Sequence, residues 1–206
     1  MADMFHFYMR KDWGCDAYRV VDIWVGAWHI PIEIFKNDRI RKRVVIEYHW
    51  IDNDPQALAA ANENAKKIWL NLQLHEWDLL MPLHTILSNN PSPNIALSAN
   101  LPYNTDEERE TYDEAVKAEP RHAIVWWWID WLDVYRKFLE QFSLVHDKVH
   151  MLILQWSKSN TYALCNLCDD LWIPWMHFSV MYDNQNKPRY VLGTRMEPHL
   201  YECPNI

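Results

Sequence analysis

The sequence predicts a single α/β domain built on a mostly parallel sheet of about seven strands, with helices on both faces. Two observations carry that prediction. Short apolar runs alternate with helix-forming stretches, the pattern of successive βα units. The polar residues that close these runs, Asp22, Asp52, Asp78 and Asn100, follow one another at intervals of about 22 to 30 residues, the length of one such unit.

Taken in order, Tyr18–Ile23 (YRVVDI) is apolar and β-branched and ends on an acid, as a buried strand does. Residues 29–36 follow at helical spacing, then a charged turn. Residues 44–51 read as a second strand, closed by Asp52. Pro55 opens an alanine-rich helix over 55–68, proline being well placed in a first turn. Leu72–Glu76 reads as a third strand, residues 89–94 (NNPSPN) as a loop and Ile95–Ala99 as a fourth strand. Residues 104–130 begin polar and acidic and read as a long loop, with a helical stretch near 107–117. A helix over 130–142, a strand over Val149–Gln155 and a helix over 159–171 follow. The tail, 175–182 and 189–193, reads as two strands, an antiparallel pair. No repeat or linker divides the chain. Residues 1–17 are read as an extension, disordered or a lid, and 18–206 as the functional domain.

Composition excludes several classes. The chain has 206 residues, half of them apolar and 23% charged, which marks a globular protein. The longest apolar stretch, 123–129, is far short of the ~20 residues that span a bilayer. No secretory signal pattern opens it, so a soluble cytoplasmic protein is expected. A net charge of −8 argues against nucleic acid, because such binding rests on neutralising phosphates; the basic cluster at 36–43 reads as a solvated turn. Four cysteines make no disulfide framework, and Cys165-Asn-Leu-Cys168, lying in a predicted helix without a second pair, is not read as a metal site. The ten histidines form no ligand motif, so no metal is expected. One count is abnormal. Ordinary usage would give this chain roughly 14 glycines, but it has 3, alongside 13 tryptophans.

In a sheet of this kind ligands bind beyond the carboxyl ends of the strands. Asp22-Ile-Trp-Val-Gly-Ala-Trp28 stands at the first of those ends, Asp52-Asn-Asp-Pro-Gln-Ala-Leu58 at the second, Asp78-Leu79 at the third and Asn100-Leu-Pro-Tyr103 at the fourth. Glu119-Pro-Arg-His-Ala123 and Asp130-Trp-Leu-Asp-Val-Tyr-Arg136 follow. Together these motifs, over residues 18–195, resemble class I S-adenosylmethionine-dependent methyltransferases, and among them the HemK family of release-factor glutamine N5-methyltransferases. That family's N-terminal helical domain is absent or reduced to residues 1–17. The first motif is similar to D-x-G-x-G-x-G, where glycine permits positive φ and close backbone approach; here only Gly26 remains. Trp24, Trp28, Trp50, Trp69, Trp77, Trp127, Trp128, Trp131, Trp156 and Trp172 all fall where the family commonly has glycine.

The resemblance implies an enzyme that uses S-adenosylmethionine, releases S-adenosylhomocysteine and needs no metal. It implies cofactor contacts from Asp22, Trp24, Val25, Gly26, Ala27, Asp52, Asn53, Asp78, Leu79 and Asn100. Asp52 would take the ribose hydroxyls, because a carboxylate accepts both hydrogens, and Asp78 with Leu79 would flank the adenine. Asn100, Pro102 and Tyr103 would be catalytic, and Asn100, Leu101, Pro102, Tyr103, Glu119 and Arg121 would meet a glutamine amide of a peptide-chain release factor. Leu101 departs from the family's proline. A monomer is expected, without membrane or nucleic-acid partners. Two other readings remain: an adenine N6-methyltransferase, which shares the Asn-x-Pro-Tyr turn, and a non-catalytic binding module on the same fold.

Overall fold

The computed structural model describes residues 18–24, 45–81, 83, 95–125, 132–156, 161–171 and 173–195. Seven strands form one sheet in the order β3-β2-β1-β4-β5-β7-β6. β1 (Tyr18–Ile23), β2 (Val45–Asp52), β3 (Leu72–Glu76), β4 (Ile95–Ala99) and β5 (Val149–Gln155) run parallel, and β7 (Pro188–Thr194) pairs antiparallel with both β5 and β6 (His177–Tyr182). The fold class and the strand count match the sequence expectation. β1 lies between β2 and β4, so chain order reverses there and the crevice beyond the strand ends opens at Ile23, Asp52 and Ala99.

Register explains the core. Val21 aligns with Leu97, and Ile23 with Ile51 and Ala99, so the face they share is apolar along β1 and β4, while His49 and its partner His75 make it polar toward β3. The helix α5 (Asp133–Phe142) places Val134, Tyr135, Phe138, Leu139 and Phe142, all buried, in the same apolar cluster. Those positions recur at helical spacing, which gives α5 one apolar stripe. α6 (Thr161–Asp170) adds Leu164, Cys165 and Cys168 to that cluster. Burial pushes both thiols up, Cys165 to about 11, so neither is a reactive thiolate.

α1 (Pro55–Lys67) packs against β2 and β3 and buries Leu58, Ala61 and Ala65. Asp54 caps it by accepting from Gln56 N–H at 2.8 Å. It ends in a left-handed turn: Trp69 has φ 60°, its N–H donates to the Lys66 carbonyl at 3.2 Å, and Leu70 N–H donates to the Ala65 carbonyl at 2.9 Å.

Three expectations change in detail. Asp52 is the last residue of β2 rather than the first beyond it. The helical stretch near 107–117 is two short helices, α2 (Asp106–Glu110) and α3 (Glu114–Lys117), followed by α4 (Arg121–Ile124). Residues 111–113 break it, and Asp113 enters α3 in extended conformation. The strand expected over 175–182 begins only at His177, because Pro174 and Trp175 are the central residues of a turn in which Met176 N–H donates to the Ile173 carbonyl at 3.3 Å. The expected helix at 29–36, the loop at 89–94 and the extension at 1–17 lie outside the described residues.

Candidate active site

The carboxyl ends of β1, β2 and β4 bring three of the expected residues together. Asp22 is 2% exposed and aligns with Ser98 across the β1–β4 pair, where Ser98 Oγ donates to its carboxylate. Burial pushes Asp22 up to about 7; nearby Asp52 adds to the rise, and the hydrogen bonds from Ser98 and Ile23 oppose it. Asp52, also buried, accepts from Asp54 N–H at 2.9 Å, while its own carbonyl accepts from Trp77 N–H at 3.0 Å. The backbone at Trp24, φ 62°, is tied to the Ile51 carbonyl at 2.8 Å, and the indole packs into the apolar core. Val25, Gly26 and Ala27 lie outside the described residues.

Beyond β3 the expected pair separates. Leu79 is buried in the core, whereas Asp78 stands half-exposed and ion-paired with Lys137 of α5. Asn53 is exposed.

Beyond β4, residues 100–104 run along one wall of a cavity of about 240 Å³ that Asn100, Leu101, Pro102 and Tyr103 line together. Asn100 Oδ1 is buried and accepts no hydrogen bond from any described group. A buried acceptor left unmatched costs free energy, so this carbonyl is poised for a donor. Tyr103 stacks at a tilt on Trp156, with ring centroids 5.2 Å apart, and Trp156 meets the edge of Tyr135 at 4.5 Å. Burial pushes the Tyr103 phenol up to about 12, so it stays protonated at neutral pH and is no base.

The segment 105–125 contributes Tyr112, Val116, Glu119, Ala123 and Ile124 to the same cavity. Asn104 anchors it: its backbone N–H donates to the Ile124 carbonyl at 3.2 Å and its side chain accepts from Tyr112 Oη at 2.6 Å. Thr105 and Glu108 close a capping box at the start of α2. Glu119 lines the cavity. Arg121 does not: its guanidinium is engaged by the Asp106 carboxylate, with Nε donating at 2.7 Å. That bond raises Arg121 and lowers Asp106 from their ordinary values, and it ties α4 to α2.

Tyr112, Asn104 and Arg189 line the cavity without a local sequence signal. Tyr112 and Asn104 lie in a polar stretch that reads as loop. Arg189 arrives from β7, at the far end of the chain, and is paired with Asp183 at 3.3 Å. His122 Nε2 sits 3.1 Å from Asp54, joining the cavity wall to the turn after Asp52. Among the described residues no group of three His, Cys, Asp or Glu could hold a metal ion, and no helix is long and apolar enough to cross a membrane.

No known family profile matches the chain. It is 25% identical over 186 residues to the release factor glutamine methyltransferase of Bacillus cereus, covering 90% of this chain and 62% of that protein. It is 34% identical over 135 residues to the protein of the same name from Bacillus subtilis, covering 65% of this chain and 43% of the relative. The chain thus spans less than two thirds of these relatives' length. Its fold is similar to that of a putative class I S-adenosylmethionine-dependent methyltransferase from Listeria monocytogenes, with a TM-score of 0.54 at 13% identity, covering all of this chain and 60% of that one. Strand order, the acid-bearing strand ends and these likenesses agree: the chain has the class I methyltransferase fold and is similar in sequence to the release factor glutamine methyltransferases.

Proposed function

We propose that this chain is an S-adenosylmethionine-dependent N-methyltransferase acting on a protein glutamine amide, in keeping with the name its relatives carry. One observation supports the reading above the others: Asn100, whose buried Oδ1 is unmatched by any described group, lines a cavity of about 240 Å³. A primary carboxamide has two N–H donors. Asn100 Oδ1 takes one, and a backbone carbonyl of the 100–103 turn takes the other. Tyr103, held at its tilt by Trp156, offers an aromatic face to the amide plane. The contribution of these residues is positioning: the amide nitrogen is fixed with its lone pair free and without a solvation shell. The phenol of Tyr103, protonated at neutral pH, takes no proton from the substrate.

The residues present suit the cofactor at its ribose end, where the buried Asp52 closes β2, and the indole of Trp24 is packed into the core rather than standing across the crevice. Asp52 would hold the ribose hydroxyls, with Leu79 supplying an apolar neighbour. When bound, S-adenosylmethionine supplies an electrophilic methyl group. An adenine amino group carries the same pair of donors and is the alternative substrate.

The test supplies radiolabelled S-adenosylmethionine at millimolar concentration, so that weak affinity does not hide transfer. It compares a release-factor fragment with an adenine-containing oligonucleotide. Label on the fragment alone is expected. Label on the oligonucleotide alone would move the assignment to adenine, and label on neither would favour a binding module.

A further inference from the structure

We propose that Trp24, Trp69 and Trp175 occupy glycine positions of this fold, and that the cell in which the gene evolved reads their codons as glycine. Five described residues other than glycine have positive φ, and three of them are these tryptophans, at 62°, 60° and 64°. A residue with a Cβ is strained there, and a bulky one is a genuine outlier. Of the other two, Asn186 is of a type that tolerates this region, and Leu79, at 55°, is strained but packed into the core.

Each of the three sits in a different structure, and each structure asks for glycine on its own grounds. Trp69 is the left-handed residue after α1. With Leu70 N–H on the Ala65 carbonyl and Trp69 N–H on the Lys66 carbonyl, the helix ends in a Schellman motif, whose left-handed position is usually glycine. Trp175 follows Pro174 in a turn closed by Met176 N–H on the Ile173 carbonyl, the layout of a type II turn, with proline second and glycine third. Trp24 begins the turn after β1, at the first glycine of the loop motif it resembles. Packing does not compensate at two of the three: Trp69 is 88% exposed and Trp175 80% exposed.

Independent substitutions would have to place the largest side chain at three sites that each disfavour it. A codon read as glycine by one translation apparatus and as tryptophan by another changes them together. At these three positions alone it would take the counts from 3 glycines and 13 tryptophans to 6 and 10, toward the roughly 14 glycines of ordinary usage. The buried Trp50 and Trp156 are outside the proposal, because their backbones have no positive φ.

The inference does not rest on methyltransferase activity, and its test uses none. Peptide mass spectrometry of the protein isolated from cells that carry the gene naturally is expected to find glycine at 24, 69 and 175. Tryptophan at any of the three overturns the decoding. Separately, synthetic genes in a host of standard code yield the chain as written, the W24G/W69G/W175G form and the W24A/W69A/W175A form. The glycine form is expected to raise the folding equilibrium constant by roughly five-fold or more per position. The alanine form removes the indole but keeps Cβ on the left-handed backbone, so it should not match that gain. Equal stability of the alanine and glycine forms overturns the glycine assignment. If the chain as written does not fold, the glycine–alanine comparison still decides.

Discussion

Replacing Asp22 by asparagine should abolish a large pH dependence of stability. The carboxyl is buried between β2 and β4 and rises from an ordinary 3.8 to about 7. Because the folded state binds the proton more tightly than the unfolded chain, stability from this group is present below pH ~4 and falls as pH rises toward 7. At ~1.36 kcal/mol per pH unit, the whole effect is ~4 kcal/mol, and between pH 5 and 8 it amounts to ~2–3 kcal/mol. D22N keeps an oxygen to accept from Ser98 and removes the charge. Urea denaturation of both proteins at pH 5, 6, 7 and 8, without cofactor, gives the difference in unfolding free energy at each pH. Groups that do not interact with Asp22 cancel in that difference. It should shift in favour of D22N by ~2–3 kcal/mol from pH 5 to pH 8. A difference that is flat across this range, or that moves the other way, would refute the assignment of a buried, near-neutral carboxyl at the crevice floor.

Other expectations follow from the same geometry. N100A removes the acceptor that orients the substrate, so kcat/KM for methyl transfer should fall by about 100-fold with the urea midpoint little changed. Y103F keeps the ring on Trp156 and deletes a hydroxyl that stays protonated up to about 12, so activity between pH 6 and 9 should keep the shape of its pH profile. F138A empties a fully buried position between α5 and the sheet and should cost ~3–5 kcal/mol in equilibrium unfolding, because the cavity adds to the lost transfer energy.

The sheet was legible because its strands are local. Tyr18–Ile23, Leu72–Glu76, Ile95–Ala99 and Val149–Gln155 are apolar runs bounded by polar or turn residues, and each appears with the bounds expected. The positions of Asp52 and Asn100 were legible for the same reason: one ends β2 and the other follows β4. What escaped depends on contacts between distant segments. Nothing near Arg189 shows that β7 would swing it beside a turn some ninety residues earlier, yet it lines the same cavity as Asn100. Asp78 looks like its neighbours Asp22 and Asp52 in sequence, but Lys137 of α5 draws it to the surface. Arg121 pairs with Asp106, which lies fifteen residues earlier in a stretch without hydrophobic periodicity, so the pairing left no pattern. The turn at Pro174 and Trp175 was hidden by the tryptophan itself. A glycine there would have marked a type II turn at once.

The most direct test of the central claim, that the Asn100 cavity orients a carboxamide for methylation, locates the transferred methyl group. A release-factor fragment carrying its target glutamine is compared with the same fragment carrying glutamate, and both are mapped by peptide mass spectrometry after incubation with S-adenosylmethionine. The glutamine side chain should carry the methyl group and the glutamate fragment should stay unlabelled, because a carboxylate has no N–H to give Asn100 Oδ1. Equal labelling of both fragments, or a methyl group elsewhere in the fragment, would contradict it.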